Sequence, residues 1–153
     1  MSIHKEMGGK AAALVVVLAL LTIGAGGCTS VATEGSIKWL NEWSEALDKA
    51  RAENKPIMIN FYTDICPACT QLDRNTFSDE ELGAFLDDNF ICLKSNAGKS
   101  NLHAKYGISG VPTIVFTAPD GYEKRYEIGR IVGAAPADQF YQGALAALGQ
   151  RQQ

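Results

Sequence analysis

The sequence lacks the features that mark nucleic-acid-binding and disordered proteins. Its 153 residues have a net charge of only −3, with no block of lysine or arginine and no alternation of basic with aromatic residues. Nucleic acid is therefore not expected as a partner. There is no internal repeat and no low-complexity segment, and the hydrophobic fraction of 46% is that of a globular protein. The length predicts a single domain.

Potential metal ligands are also scarce. The chain has four cysteines and two histidines, and its single Cys-x-x-Cys pair consists of Cys66 and Cys69. Beyond the N-terminal segment, only Cys92 and His103 remain as soft ligands. A structural zinc site needs about four such ligands at suitable spacing. We therefore predict neither a metal site nor a cofactor.

An apolar run near the N-terminus is too short for an ordinary membrane span. Residues 1–10 carry two lysines, residues 11–23 are almost wholly apolar, and residues 24–27 are small. A basic segment, a short apolar segment and small residues before a cleavage point are typical of a secretory signal. A spanning helix needs roughly 20 apolar residues. We predict a cleavable signal over residues 1–27, with an uncleaved anchor as the alternative.

The four residues that end at Cys28 resemble a bacterial lipobox. They read Ala-Gly-Gly-Cys, with Ala25 where the pattern most often has leucine. The resemblance implies that Cys28 becomes the lipidated first residue of the mature protein, which residues 28–36 then tether to the membrane. The protein would be exported and would face the periplasm or the cell exterior. The alternatives are a free cysteine beside the cleavage point or an anchor without lipid.

The remaining sequence predicts an α/β domain over residues 37–150. Apolar residues at helical spacing predict a first helix over residues 37–54, with Ser36 as its N-cap. The elements predicted after it are a strand at 56–62, a helix from Pro67, a helix at 79–88 opened by a Ser78–Glu81 capping box, a strand at 90–94, a short helix at 102–106, strands at 113–117 and 122–128, and a helix at 136–148 with Phe140, Leu145 and Leu148 facing the core. Early alternation implies parallel pairing, and the last two strands form an antiparallel hairpin. The fold class is therefore α/β, with a mixed four-stranded sheet flanked by helices.

The Cys66–Cys69 pair lies where a predicted buried strand gives way to a helix N-terminus. A thiolate, not a thiol, attacks a disulfide. Unpaired backbone N–H groups and the helix dipole stabilise an anion at that position. We predict that Cys66 is the exposed nucleophile and that Cys69, one turn inside, is the resolving thiol. Pro67 is favoured at a first helical position. The alternatives are a binding module with a permanent disulfide, and a metal carrier that also uses His103.

Three stretches of the sequence resemble the thioredoxin superfamily. They are NFYTDICPAC at 60–69, TFSD at 76–79, and YGISGVPT at 106–113. The resemblance covers roughly residues 37–148. Within the superfamily, this part of the chain resembles the periplasmic C-terminal domain of DsbD-type thiol:disulfide interchange proteins and related small lipoproteins. It implies a thioredoxin-like fold in a monomer that exchanges electrons with protein thiols and disulfides, in the reducing direction. The expected partners are a membrane reductase upstream and an oxidised protein downstream.

The same resemblance assigns a substrate-binding surface around the cysteine pair. It implies that Pro112 follows a cis peptide bond and faces the cysteines, while Val111 offers backbone groups to an extended substrate segment. The apolar residues Ile65, Pro67 and Ala68 would complete the surface on which a partner docks.

Several residues depart from the superfamily pattern. Asn60 stands where the family usually has a buried aspartate that accepts a proton from the inner thiol, and an amide cannot take that proton. We predict that Asp73, four residues after Cys69, substitutes as the functional acid; the alternative is a surface carboxylate on a helix. Ile65 stands where tryptophan is common, which should change partner preference. Cys92 is predicted to be a small buried core residue, with a regulatory or intermolecular role as the alternative.

Overall fold

The computed structural model of the protein describes residues 37–120 and 126–151. The strands of this part are β1 (Ile57–Tyr62), β2 (Ile91–Asn96), β3 (Thr113–Thr117) and β4 (Glu127–Val132). Its helices are α1 (Trp43–Glu53), α2 (Pro67–Asn75), α3 (Glu80–Asn89), α4 (Leu102–Lys105) and α5 (Ala137–Gln150). The predicted signal, the tether and Cys28 lie outside the described residues, as does Ser36. Within the described part, no helix is both long and apolar enough to cross a membrane.

The four strands form one mixed sheet in the order β2-β1-β3-β4. β1 and β2 are parallel and are joined by a crossover through α2 and α3, whereas β1–β3 and β3–β4 are antiparallel. The predicted α/β class and the mixed four-stranded sheet are therefore confirmed. The two central strands, β1 and β3, are almost wholly buried, which fits their continuous apolar runs.

The sheet separates two layers of core residues. Side chains of β1 alternate between them, as the period of a strand requires. Met58 belongs to the layer formed with α2, α3 and α5, whereas Ile59 and Phe61 belong to the layer formed with α1 and α4. The first layer contains edge-to-face aromatic packing between Phe77 and Phe140, whose ring centroids are 5.1 Å apart. Helices on both faces thus hold the C-terminal end of β1 in a fixed position, and the cysteine pair follows that end.

The first helix is shorter than the predicted helix over residues 37–54. It begins at Trp43, and the residues before it are extended. The Leu40 N–H donates to the Cys92 carbonyl at 2.8 Å, and the Leu40 carbonyl accepts from the Lys94 N–H at 2.8 Å. These residues therefore satisfy their backbone groups by pairing with the edge of β2. The apolar side chains before Trp43 do pack against the core. They reach it from a segment that pairs with β2, and not from a helix.

The predicted capping box at the start of α3 is wrong. Asp79 is the N-cap, and its carboxylate accepts a hydrogen bond from the Leu82 N–H at 2.8 Å. The Ser78 hydroxyl instead donates to a backbone carbonyl in the last turn of α2, at 2.5 Å. A carboxylate is both a good N-cap acceptor and a favourable charge at the positive end of a helix, so aspartate takes the position next to the first helical residue.

The C-terminal hairpin is confirmed, but its second strand differs from the predicted 122–128. β4 spans Glu127–Val132, and Thr117 pairs with Glu127 beside a register shift. The predicted strand therefore overlaps β4 only at its end, and residues 121–125 lie outside the described part. Pairing with β3 favours the later segment because Ile128 and Ile131 then pack against the core.

The core face of α5 is also partly different from the prediction. Phe140 is fully buried and Leu148 is half-buried against the core, but Leu145 is 39% exposed. Ala147 takes the buried position because α5 lies close to β4. A Cβ atom added at Gly129 would come within 2.9 Å of the Ala147 Cβ, so small residues on both elements permit the approach.

Candidate active site

The cysteine pair forms a disulfide at the N-terminus of α2. Cys66 is the N-cap of this helix, Cys69 lies in its first turn, and their Cα atoms are 5.2 Å apart. Cys66 is half-buried, whereas Cys69 is only 7% exposed. The predicted placement between strand and helix is thus confirmed, with Cys66 as the more exposed residue of the pair.

Backbone donors of α2 are directed at Cys66. Its Sγ accepts a hydrogen bond from the Cys69 N–H at 3.1 Å. Its carbonyl accepts from the Thr70 N–H at 3.1 Å and from the Thr70 hydroxyl at 3.3 Å. Pro67 occupies the first helical position, and the first turn carries no acidic residue. When the disulfide is reduced, an anion on the Cys66 sulfur is therefore stabilised by an N–H group and by the helix dipole, without a nearby carboxylate in that turn to oppose it.

The loop before β3 lies at the same end of the sheet as the disulfide. The Val111–Pro112 peptide bond is cis, as the resemblance implies. Thr113 pairs with Phe61, near the end of β1 from which the chain runs to Cys66. Pro112 is buried, and its carbonyl accepts a hydrogen bond from the Gly133 N–H at 2.9 Å. Val111 remains half-buried and within reach of solvent.

An apolar rim surrounds this end of the sheet; we define it as Ile65, Pro67, Ala68, Val111 and Val132. Ile65 is 94% exposed and Val132 is 74% exposed, and exposed apolar side chains grouped in one patch are typical of an interaction surface. Val132 reaches the rim because it pairs with Thr113. Val132 is not among the predicted site residues, since the predicted strand ends four residues earlier. Its place beside the site depends on the pairing with Thr113, which no local pattern in the sequence shows.

Asp73 is exposed on α2, with 44% of its side chain accessible, and it forms an ion pair there. Its two carboxylate oxygens lie 2.9 and 3.0 Å from the Lys94 Nζ. Lys94 also lies 5.2 Å from the centroid of the Trp39 ring and 6.0 Å from that of Tyr62. Lys94 is not among the residues predicted from the sequence. Its partner Asp73 lies 21 residues earlier in the sequence, so only the tertiary structure reveals the pair.

Asn60 is buried in β1 beneath the site. It pairs with Lys94 on one side and with Ile114 on the other, and it is only 2% exposed. Its Oδ1 is the only buried side-chain oxygen or nitrogen in the described part of the chain that lacks a hydrogen-bond partner. The buried position expected from the resemblance is thus occupied by an amide, which cannot accept a proton.

Cys92 and His103 lie apart from this arrangement. Cys92 is a free thiol buried in β2. Burial, with a further contribution from the charge of Asp87, raises the pKa of the Cys92 thiol far above its usual range. The His103 Nδ1 lies 2.6 Å from the Ser100 carbonyl oxygen. Over residues 37–120 and 126–151, no group of three or more His, Cys, Asp or Glu side chains is arranged to hold a metal ion.

Comparison with protein families gives a match over most of the folded part. A model described as a thioredoxin-like domain matches residues 43–147. The chain is also similar to the thiol:disulfide interchange protein DsbD of Yersinia pestis (strain Pestoides F), with 33% identity over 97 residues. That match covers 61% of this chain and 16% of the relative, so the chain spans less than a fifth of the length of DsbD.

Solved structures give the same fold. A thioredoxin from Thermus thermophilus has a TM-score of 0.62 and 28% identity, and the match covers 76% of this chain and 86% of that one. The oxidised C-terminal domain of DsbD from Neisseria meningitidis has a TM-score of 0.53 and 22% identity, covering 65% and 87% of the two chains.

Proposed function

Because the chain belongs to the thioredoxin-like family, we propose that it is a thiol–disulfide oxidoreductase that exchanges electrons with protein partners through Cys66 and Cys69. The observation that carries this proposal is the unequal placement of the two sulfurs. Cys66 is accessible and receives a helix N–H, whereas Cys69 is buried one turn inside. A structural disulfide requires no such difference, but an attacking and a resolving thiol do.

Reduction of a partner proceeds in two exchanges. The Cys66 thiolate attacks one sulfur of the partner disulfide, which breaks that bond, forms a Cys66–partner bond and releases the second partner sulfur as a thiolate. Cys69 then loses its proton and attacks the Cys66 sulfur. The partner leaves with both sulfurs reduced, and the Cys66–Cys69 disulfide that the structure contains is formed. Two electrons pass to the partner in the cycle, and an upstream dithiol restores them.

The reducing direction and a location outside the cytoplasm are part of the proposal. The similarity to DsbD over 97 residues supports both. The predicted signal over residues 1–27 and the lipobox ending at Cys28 support export and membrane anchoring. Outside the cytoplasm the surroundings are already oxidising, so a dedicated enzyme is needed for reduction. A membrane reductase upstream and an oxidised protein downstream are the partners that this scheme requires, and the protein would act as a monomer.

The apolar rim and Asp73 complete the proposed site. Ile65, Pro67, Ala68 and Val111 would contact the partner, with Pro112 holding the Val111 backbone groups beside the disulfide. Asp73 would accept the proton of Cys69, since it lies one helical turn further along α2 and Asn60 cannot act as a base.

The experiment is a redox titration combined with trapping. We expect the Cys66–Cys69 pair to equilibrate with glutathione or dithiothreitol and the reduced protein to reduce insulin. We expect Cys69→Ala to accumulate a mixed disulfide through Cys66, whereas the matched variant Cys92→Ala accumulates none. A pair that stays oxidised at the most reducing poise would contradict the proposal and favour a binding module with a permanent disulfide.

A further inference from the structure

Among the side chains of residues 37–120 and 126–151, one buried polar atom has no hydrogen-bond partner in the oxidised protein, the Oδ1 of Asn60. We propose that Asn60 is a positioning residue whose amide oxygen accepts a hydrogen bond from the Cys69 thiol once the disulfide is reduced. Its side chain would thereby favour the dithiol form of the pair over the disulfide form. The inference rests on the proposed function in one respect, because the Cys66–Cys69 pair must be reducible.

The alternation of β1 directs Asn60 toward α2. Asn60 lies on the same face of the strand as Met58, which shares a core layer with Leu72. Leu72 and Cys69 are the buried residues of α2, and residues three apart lie on the same face of a helix. Asn60 and Cys69 therefore both point into the layer between the sheet and α2.

The ion pair above the sheet supports the same placement independently. Lys94 is the register partner of Asn60 in β2, and its ammonium group contacts Asp73. Asp73 lies one turn after Cys69 on α2. The row of side chains formed by Asn60 and Lys94 thus crosses the sheet beneath the first turns of this helix.

The chemistry of the pair makes the acceptor useful in one redox state. In the disulfide, the Cys69 sulfur carries no hydrogen and cannot satisfy the amide oxygen. On reduction a partner dithiol supplies two electrons and two protons and becomes a disulfide itself, while the S–S bond of this protein breaks and Cys69 gains an S–H group. A thiol is a weak hydrogen-bond donor, and a buried unpaired acceptor destabilises the state that contains it. Reduction removes that destabilisation.

The test compares the reduction potential of the full chain with that of Asn60→Leu. Leucine has a similar size and no acceptor. We expect the equilibrium constant for reduction by glutathione to fall about tenfold, which corresponds to a potential about 30 mV more negative. The matched control is Ser95→Ala, a buried polar residue that pairs with Phe61 and faces the opposite layer; its potential should be unchanged. An unchanged or less negative potential in Asn60→Leu overturns the inference.

A second measurement needs no substitution at Asn60. The side-chain amide signals of Asn60 in the NMR spectrum should shift when the wild-type disulfide is reduced. In Cys69→Ala, which has no thiol at this position, addition of reductant should leave them in place. Signals that do not move in the wild-type protein overturn the inference, as expected if a buried water satisfies the amide in both states. These outcomes are distinct from failure of the proposed function, in which the Cys66–Cys69 pair would resist reduction altogether.

Discussion

The N-terminus of α2 and the middle of β2 place cysteines in opposite environments. At the first, Cys66 is accessible and faces a helix N–H. At the second, Cys92 is surrounded by core residues, and burial raises the pKa of its thiol. A cysteine thiol is thus placed to take part in thiol–disulfide exchange in the first region, whereas in the second region burial protects it from exchange. The difference shows that position in the fold, rather than the number of cysteines, decides which thiols react.

The largest expected effect comes from removing the reactive thiol. Cys66→Ser should reduce the rate of insulin reduction to that of the buffer thiol alone, because the other two cysteines of the described part, Cys69 and Cys92, are buried. Cys92→Ser should retain the wild-type rate. Loss of activity in Cys92→Ser, with circular dichroism showing an intact fold, would mean that the two regions are not separate.

Asp73→Asn tests whether Asp73 takes the proton of Cys69 when Cys69 resolves the mixed disulfide. We expect release of the partner from the mixed disulfide to slow by about 10²-fold near neutral pH, a typical contribution of a positioned acid or base. The rate should recover in alkaline solution, where Cys69 ionises without help. The measurement is single-turnover kinetics with a disulfide peptide.

Asp64→Asn is the matched control for Asp73→Asn. Asp64 is an exposed carboxylate close to the cysteine pair in the sequence, and it is paired with Lys99 at 2.9 Å. Equal rates for the two variants would show that Asp73 is only a surface carboxylate on α2.

Ile65→Ser tests whether exposed apolar surface serves the reactive region. We expect kcat/KM for a protein substrate to fall about tenfold, since a partly buried aliphatic contact contributes about 1.4 kcal/mol. Leu145→Ser removes a second exposed aliphatic side chain, on α5, and should leave kcat/KM unchanged. A similar loss in both variants would show that general surface hydrophobicity, and not the apolar rim, governs docking.

The smallest expected effect at neutral pH concerns the protected thiol, because this effect begins only near pH 9. The folded-state pKa of Cys92 lies above its unfolded value of 9.0, so the folded protein keeps a proton that the unfolded chain loses. The stabilisation is present in full below pH 9 and is lost as the pH rises toward the folded value. We expect the wild-type free energy of unfolding to fall above pH 9 more steeply than that of Cys92→Ala, by up to about 1.4 kcal/mol per pH unit. Urea titrations of both proteins with Cys66 and Cys69 oxidised measure this, and parallel curves would contradict it.

Local patterns in the sequence predicted the parts of the fold that local physics controls. The strand before Cys66, the helix after it and the order of the later strands all follow from apolar spacing and from the position of Pro67. The predicted start of α1 was wrong because Leu40 pairs with the edge of β2, a contact that no local pattern contains. For the same reason the predicted β4 ended before Val132.

The candidate site was predictable to a similar degree. The cysteine pair and Pro112 were identified from short motifs, because their chemistry depends on neighbouring residues in the chain. Lys94 and the unsatisfied oxygen of Asn60 were not, because each depends on which residues meet across the sheet. The roles assigned to Asp73 and the apolar rim, and the anchor at Cys28, stay predictions.

The pairing of Leu40 with β2 also bears on self-association. An open sheet edge is a template onto which another chain can add a strand, and this sheet has two edges, β2 and β4. Leu40 occupies part of the β2 edge, so among the residues that the structure describes the more open template is β4. There the Arg130 guanidinium and the Glu127 carboxylate, 2.6 Å apart, place two opposite charges on one strand. A chain that added to this edge would meet charges that are already paired with each other and largely buried, beside the exposed side chain of Val132.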